Sequence, residues 1–215
     1  MYVLGLNGSP RKTWNTATLL RHAMEGAASR GAQAEIVHLY DLTYKGCVSC
    51  FACKLKEGPS YGRCALRDDL TPVLDKIERA DAVFIGSPIY LGNVTGETRS
   101  LMERMIFQYL VYDEEGSSLV KKKKPVGLLY TMNIKENIVK EWGYDRTFAS
   151  IEKLFIRVFG AAETMYATDT YQFDDYSKYV APRFNETEKA KHRDEVFPKN
   201  CEKAFALGAR FAARE

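Results

Sequence analysis

Residues 1–16 have the sequence MYVLGLNGSPRKTWNT. The apolar run Tyr2–Asn7 is followed directly by a polar turn with glycine and proline, and the chain then enters an amphipathic stretch. The apolar run is typical of a buried parallel strand. A turn in this position directs backbone N–H groups and hydroxyls to the amino terminus of the next helix, where anions bind. The stretch therefore predicts a strand, an anion-binding loop and a helix.

The turn at 8–16 matches neither of two common nucleotide motifs. It lacks the Gly-Lys-Ser/Thr ending of the Walker sequence and the three spaced glycines of the dinucleotide fingerprint. It also contains no cysteine, so it lacks the nucleophile of a low-molecular-weight tyrosine phosphatase. Two interpretations remain open: an anion-binding loop, or a plain turn in which Asn15 or Thr16 caps the helix.

Apolar runs alternate with amphipathic stretches along the first 170 residues. The predicted strands are 2–7, 34–38, 82–86, 126–131 and 164–168. The predicted helices are 16–30, 70–79, 96–109, 144–159 and a last helix from about 186 to 214, which Pro198 should break or kink. This alternation predicts a single α/β domain, in which five parallel strands form a doubly wound sheet with helices on both faces.

Composition and charge exclude several classes of protein. The 215 residues are 46% hydrophobic and 27% charged, which is enough apolar surface for one core. The net charge of +3 is scattered except for lysines 121–124, which we expect to form a solvated loop, so nucleic acid is not favoured as a partner. No apolar run reaches the roughly 18 residues of a membrane helix. Without an export signal we expect a cytoplasmic protein with reduced cysteines and no membrane partner.

A second polar turn follows the third predicted strand. Residues 86–96 have the sequence GSPIYLGNVTG and lead into a predicted helix. Ligands of doubly wound sheets bind at the carboxyl ends of strands, so a flat ring stacked on Tyr90 would lie here. The alternative interpretation is that Pro88 and Gly92 only shape a turn.

The two turns together resemble those of the NADPH-dependent FMN reductase and iron–sulfur flavoprotein group of the flavodoxin-like superfamily. This resemblance implies a flavodoxin-like fold, with a five-stranded parallel sheet of order 2-1-3-4-5. The resemblance spans residues 1 to about 170 and rests on Gly-Ser-Pro-Arg at 8–11, Asn-Thr at 15–16, Ser-Pro-Ile-Tyr at 87–90 and Gly-Asn at 92–93. It implies that the FMN phosphate is held by Ser9, Arg11, Asn15 and Thr16. It implies that the isoalloxazine is lined by Pro88, Ile89, Tyr90, Gly92 and Asn93, with a less specific match at Thr131, Met132 and Asn133.

Four of the five cysteines lie in an insertion at about 44–67. Two residues separate Cys47 from Cys50 and Cys50 from Cys53, and Cys64 follows after ten more. The group resembles the cluster-binding run of iron–sulfur flavoproteins, and four thiolates can ligate one [4Fe–4S] cluster, although that family places its fourth cysteine closer to the third. A thiol or transient disulfide role and inert buried cysteines remain alternatives. Zinc is less favoured because two separated cysteine pairs are missing.

The resemblance implies an oxidoreductase that passes electrons from NAD(P)H or a ferredoxin through FMN to a small acceptor such as a quinone. An electron carrier or redox sensor that acts through a protein partner is the alternative. Spacing supports no catalytic triad or carboxylate pair, so no catalytic residue is predicted.

The resemblance also implies an oligomer, because members of this group assemble as homodimers or homotetramers. We expect the aromatic segment 166–179 to contribute to such an interface. We expect the insertions at 44–67 and 169–182 to lie over the carboxyl edge of the sheet. The second insertion is the beginning of a C-terminal extension at about 169–215.

Overall fold

The computed structural model describes residues 1–213 of the chain. The strands are β1 (Tyr2–Asn7), β2 (Gln33–His38), β3 (Ala82–Tyr90), β4 (Asn93–Val94), β5 (Lys124–Thr131) and β6 (Gly160–Ala167). The helices are α1 (Asn15–Ala28), α2 (Leu70–Arg79), α3 (Gly96–Phe107), α4 (Glu136–Glu141), α5 (Tyr144–Phe159), α6 (Glu186–Glu195) and α7 (Phe197–Ala212). Within the described residues, each helix is too short or too polar to span a lipid bilayer.

Five parallel strands form the central sheet in the order β2-β1-β3-β5-β6. Counted along the chain without β4, this is the predicted order 2-1-3-4-5, and the predicted flavodoxin-like fold is confirmed. The small strand β4 is off this path and pairs antiparallel with the end of β3. The order places the carboxyl ends of β1 and β3 side by side in the middle of the sheet, so the loops that follow them meet there.

Both faces of the sheet are covered because successive side chains of each strand point in opposite directions. Leu4 and Leu6 of β1 pack in one apolar cluster with residues of α2, α3 and α5. Val3 and Phe84 belong to a second cluster with residues of α1 and α7. Phe84 stacks on Phe211 of α7 with ring centroids 5.2 Å apart. The last helix is therefore part of the core layer.

Several predicted elements have different bounds in the structure, and the differences in the third strand and the last helix have clear physical causes. The third strand was expected to end at residue 86, but it continues to Tyr90 and turns back into β4 through Leu91 and Gly92, which both have positive φ. Two successive residues in this conformation make the tight turn that joins antiparallel strands. The last helix is divided into α6 and α7 at Val196, with Pro198 in the first turn of α7, as expected for a residue without a backbone N–H. Residue 214, the predicted end, lies outside the described residues.

The expectation of a solvated loop at residues 121–124 is wrong for Lys124. Its side chain is buried, and its Nζ donates to the carbonyl oxygens of Ile77 (2.7 Å) and Glu78 (2.8 Å). These carbonyls belong to the last turn of α2, where helical partners are missing. Lys124 thus satisfies a helix terminus.

The insertion at 44–67 was expected over the carboxyl edge, and only its beginning lies there. The hydroxyl of Tyr44 donates to the carbonyl of Glu97 (2.7 Å) in the first turn of α3, next to that edge. Further on, the backbone N–H of Cys64 donates to Oε1 of Gln108 (2.9 Å), just beyond the other end of α3. The segment therefore runs along the outer side of α3, which offers polar side chains as anchors.

Candidate functional site

Three segments meet at the carboxyl edge of the sheet. The β1–α1 loop and β3 are joined by a bond from the N–H of Gly8 to the carbonyl of Gly86 (2.7 Å). At the next strand, Oγ1 of Thr16 lies 2.6 Å from Oγ1 of Thr131, and both side chains are buried. The residues predicted from separate stretches of sequence are thus brought to one edge.

Buried threonines fix the first two segments against each other. Oγ1 of Thr95, the N-cap of α3, donates to the carbonyl of Gly8 (2.8 Å) and lies 2.8 Å from Oγ1 of Thr98. The backbone N–H of Thr95 donates to Oγ of Ser87 (3.1 Å). A Cβ on Gly8 would lie 1.8 Å from Oγ1 of Thr98, so any side chain there would push the loops apart. Sequence reasoning missed these threonines; their signal is the Thr-x-x-Thr pattern at the start of α3.

Asn7, the last residue of β1, holds the beginning of the first loop. It is fully buried, and its Oδ1 accepts from the N–H of Ser9 (3.1 Å) while its Nδ2 lies 2.8 Å from Nδ1 of His38. The hydroxyl of Ser9 in turn accepts from the N–H of Arg11 (3.1 Å). These bonds within the chain fix the shape of the loop.

The amino terminus of α1 has the features of an anion site. No side chain of the described residues caps it, and its first turn contains no acidic residue. Asn15 and Thr16 are the first two residues of the helix, and their side chains bond elsewhere, so the interpretation of either as a cap is wrong. Unpaired N–H groups at a helix start, with Arg11 and Lys12 beside them, favour a bound anion.

The C-terminal extension uses several donors of this loop. Nδ2 of Asn15 (2.7 Å) and Nε1 of Trp14 (3.1 Å) both donate to the carbonyl of Tyr171. Nη1 of Arg11 donates to the carbonyl of Gln172 (2.7 Å), and its guanidinium lies 4.7 Å from the ring centre of Trp14. Segment 171–172 thus covers the loop, and an anion at the helix start would share or replace these contacts.

The second predicted loop is the β3–β4 hairpin. It contains all five residues of the predicted ring contact: Pro88, Ile89, Tyr90, Gly92 and Asn93. The Tyr90 side chain is about half exposed, and the turn residue Leu91 is fully exposed. At the turn, a Cβ on Gly92 would lie 2.9 Å from the ring of Tyr144 in α5. The hairpin therefore extends beyond the sheet edge toward α5 and offers an aromatic face to solvent.

The third predicted segment is divided between core and site. Met132 is buried in the core, and its N–H and carbonyl bond to Ala167 and Thr170. Asn133 is different, because its Oδ1 is buried and has no hydrogen-bond partner among the described residues, while its Nδ2 donates to Gln172. A buried acceptor without a partner is costly, and a donor from a bound ring would satisfy it. The orphaned oxygen is thus compatible with a polar ligand at this edge.

The four clustered cysteines line one narrow cavity of about 20 Å³ beside α3. They are Cys47, Cys50, Cys53 and Cys64. Its other walls include the side chains of Arg104 and Phe107. Within residues 1–213, no three His, Cys, Asp or Glu side chains are arranged to hold a single metal ion. The ten-residue gap before the last cysteine does not remove it from the group.

Contacts with α3 hold this cysteine loop in place. Oε2 of Glu103 accepts from the N–H of Cys47 (3.2 Å). The Lys54 ammonium donates to the carbonyls of Phe107, the last residue of α3, and of Leu110, three residues further on. Ser49 and Phe51 have left-handed backbone conformations on either side of Cys50, which cost roughly 1 kcal/mol each in residues other than glycine. Burial raises the pKa of the Cys53 thiol and lowers the pKa of Lys54.

Arg104 is the only arginine among the fully buried large side chains of the described residues, and it contacts one of the four clustered cysteines. Its Nη1 donates to Oδ2 of Asp68 (2.6 Å), and its Nε donates to Sγ of Cys64 (3.3 Å). Burial disfavours the charged guanidinium, but these two bonds outweigh burial and raise the pKa of Arg104. Burial also raises the pKa of the Asp68 carboxyl. The hydrogen bond and the positive charge of Arg104 outweigh burial, so the pKa of Asp68 is lowered.

A sheet of this order with loops converging at its carboxyl edge defines a flavodoxin-like α/β protein. The family model for NADPH-dependent FMN reductase matches residues 1–136, and the chain belongs to this family. It is 36% identical over 104 residues to an iron–sulfur flavoprotein of Methanocaldococcus jannaschii, covering 48% of this chain and 51% of that protein. It is 45% identical over 104 residues to an iron–sulfur flavoprotein of Archaeoglobus fulgidus, covering 48% of each. The chain thus spans about half the length of these curated relatives.

Solved structures share the fold over the whole chain. An NAD(P)H:quinone oxidoreductase from Methanothermobacter marburgensis superposes with a TM-score of 0.71 at 17% identity, covering 100% of this chain and 98% of the other. An FMN-dependent NADH-azoreductase from Bacillus anthracis, solved in complex with FMN, superposes with a TM-score of 0.64 at 14% identity, covering 98% and 99%. At these identities the likeness establishes the fold.

Proposed function

We propose that the chain is an FMN-dependent oxidoreductase that passes electrons from NAD(P)H or a ferredoxin to a small acceptor such as a quinone. The observation that carries the proposal is the meeting of an uncapped, basic helix start, an exposed aromatic hairpin and an orphaned buried amide oxygen at one sheet edge. The family to which the chain belongs is described by this cofactor and donor. The ring of bound FMN takes up two electrons from a donor and releases them to an acceptor.

The residues of this chain would bind and orient the cofactor. The N–H groups at the start of α1, with Ser9, Arg11, Asn15 and Thr16, would hold the phosphate. The β3–β4 hairpin would support the ring, with Tyr90 against its face. Oδ1 of Asn133 would accept a hydrogen bond from a ring N–H and so gain the partner that it lacks.

We further propose that Cys47, Cys50, Cys53 and Cys64 hold a [4Fe–4S] cluster. Four thiols that share one cavity are the donor set such a cluster requires. The cavity is smaller than a cluster, so the loop at 47–53 would move outward on assembly. The curated relatives bear the name iron–sulfur flavoprotein, which supports the proposal. A cluster would allow single-electron exchange with a protein donor.

Turnover assays test the proposed activity. The reconstituted protein is mixed with NADPH and a quinone under anaerobic conditions, and the absorbance of NADPH is followed against free FMN at equal concentration. We expect turnover well above that of free FMN, and loss of this excess in Arg11→Ala at subsaturating FMN, where less cofactor is bound. A rate equal to that of free FMN with NADPH, NADH and reduced ferredoxin would contradict an enzymatic function and favour an electron carrier.

A further inference from the structure

Cys64 is separated from the other three clustered cysteines by the ten-residue gap. Two side chains hold it in the cavity that the four cysteines line: Arg104 of α3 and Gln108, the C-cap of that helix. Nε of Arg104 donates to its Sγ (3.3 Å), and Oε1 of Gln108 accepts from its backbone N–H (2.9 Å). Arg104 and Gln108 are four residues apart, so their side chains lie on the same side of the helix, one turn from each other. Both the sulfur and the backbone of Cys64 are therefore anchored to α3.

The guanidinium of Arg104 also ties together the two ends of the cysteine segment. Its Nη1 donates to the carbonyl of Lys45 (3.1 Å), which precedes the first cysteine, and its Nη2 donates to the carbonyl of Leu66 (3.4 Å), which follows the last. The same Nη1 contacts Asp68. A planar fork with five fixed donors can make all these bonds at once, whereas a lysine ammonium in this position cannot.

Charge pairing alone does not account for the contact with sulfur. Asp68 neutralises the buried guanidinium through Nη1 and does not contact Nε. The Nε–H is directed to Cys64, although sulfur is a weak acceptor as a thiol and a much better one as a thiolate bound to metal. N–H donors to ligating sulfurs orient the ligand and raise the reduction potential of an iron–sulfur centre.

We propose that Arg104, together with Gln108, is a positioning residue that makes Cys64 the fourth ligand of the cluster despite the ten-residue gap. This inference rests on the cluster proposed above. Arg104 compensates for sequence spacing with a tertiary contact, and its Nε–H raises the reduction potential of the cluster.

The test compares Arg104→Lys with Cys64→Ser and with the double variant after anaerobic reconstitution of the full chain with iron and sulfide. Arg104→Lys keeps a cation beside Asp68 and removes the Nε–H donor to sulfur. Arg21→Lys is the matched control, because Arg21 is an exposed arginine of α1, outside the cysteine segment and its contacts. Iron and FMN per chain and the midpoint potential of the cluster are measured on each sample.

We expect Arg104→Lys to lose the same share of iron as Cys64→Ser, and the double variant to lose no more than either. Any cluster retained in Arg104→Lys should have a lower midpoint potential, while its FMN content and all values of the Arg21→Lys control stay at the parent level. If circular dichroism shows that Arg104→Lys does not fold, the pair Arg104→Gln and Asp68→Asn, which replaces the buried ions by amides, is judged by the same criteria. If Arg104→Lys has the iron content and midpoint potential of the parent, or if the iron losses add up in the double variant, this inference alone is overturned. If the parent protein itself takes up no iron, the proposed cluster is overturned as well.

Discussion

Replacing Lys189 by Met should destabilise the protein and loosen the cover of the candidate site. The Lys189 side chain is 3% exposed, and its Nζ donates to Oδ1 of Asp169 (2.6 Å) and to the carbonyls of Asn133 (3.0 Å) and Thr170 (3.4 Å). It thus joins α6 to the segments that follow β5 and β6. Removal of one member of a buried ion pair costs about 3 to 5 kcal/mol because the other charge stays unpaired. Since Asp169 is 13% exposed, we expect the lower end of this range, about 3 kcal/mol.

Urea unfolding followed by circular dichroism measures this loss, with Lys189→Met and Asp169→Asn together as the compensating variant. Asp169 has φ of 50°, a conformation that asparagine tolerates better than most residues, so the double variant should recover a large part of the stability. It should not recover FMN affinity fully, because the bond to Asn133 is still missing. A loss below about 1 kcal/mol in Lys189→Met would refute the reasoning, since this is the range of an exposed ion pair.

Three further predictions follow from particular contacts. Arg11→Ala and Thr16→Ala should each weaken FMN binding by about 1 to 3 kcal/mol without unfolding the protein, as measured by fluorescence titration, because each loses a bond to a charged group. Gly8→Ala should abolish FMN binding, because the added Cβ would lie 1.8 Å from the Thr98 hydroxyl and displace the β1–α1 loop. Retained FMN affinity in this variant would show that the β1–α1 loop is not fixed to the start of α3. Burial lowers the pKa of Lys124 to about 8, below the value of about 10.4 in the unfolded chain, so the unfolded state binds more protons between these pH values. The free energy of unfolding should therefore rise by about 2 kcal/mol as pH increases from 8 to 10, and Lys124→Met should flatten that rise.

The elements that rest on local patterns could be predicted from the sequence. The bounds of β1, α2 and α5 agree with the predicted 2–7, 70–79 and 144–159, because each element has a clear apolar period and polar ends. The two loops at the carboxyl edge were also recognised, since their glycines, prolines and hydroxyls follow a strand directly. The order of the strands in the sheet was implied by the resemblance to flavodoxin-like proteins, since no local pattern in the sequence determines it.

Features that depend on distant contacts could not be predicted. The burial of Lys124 follows from the free carbonyls of α2, which approach it only after folding. The contact of Arg104 with Cys64 joins residues 40 positions apart, and nothing in either local sequence marks it. Likewise, the cover of the β1–α1 loop by Tyr171 comes from a segment more than 150 residues away. In each case a polar group pairs with a backbone or side chain whose position only the tertiary structure sets.

The identity and amount of the bound flavin test the central proposal most directly. The protein is purified, its ligand is extracted and identified by mass, and the apoprotein is titrated with FMN and with FAD. We expect one FMN per chain and much weaker binding of FAD, because the β1–α1 loop has the features of a terminal phosphate site and lacks the dinucleotide fingerprint. Recovery of FAD, or no flavin binding after reconstitution, would contradict the proposed FMN-dependent function.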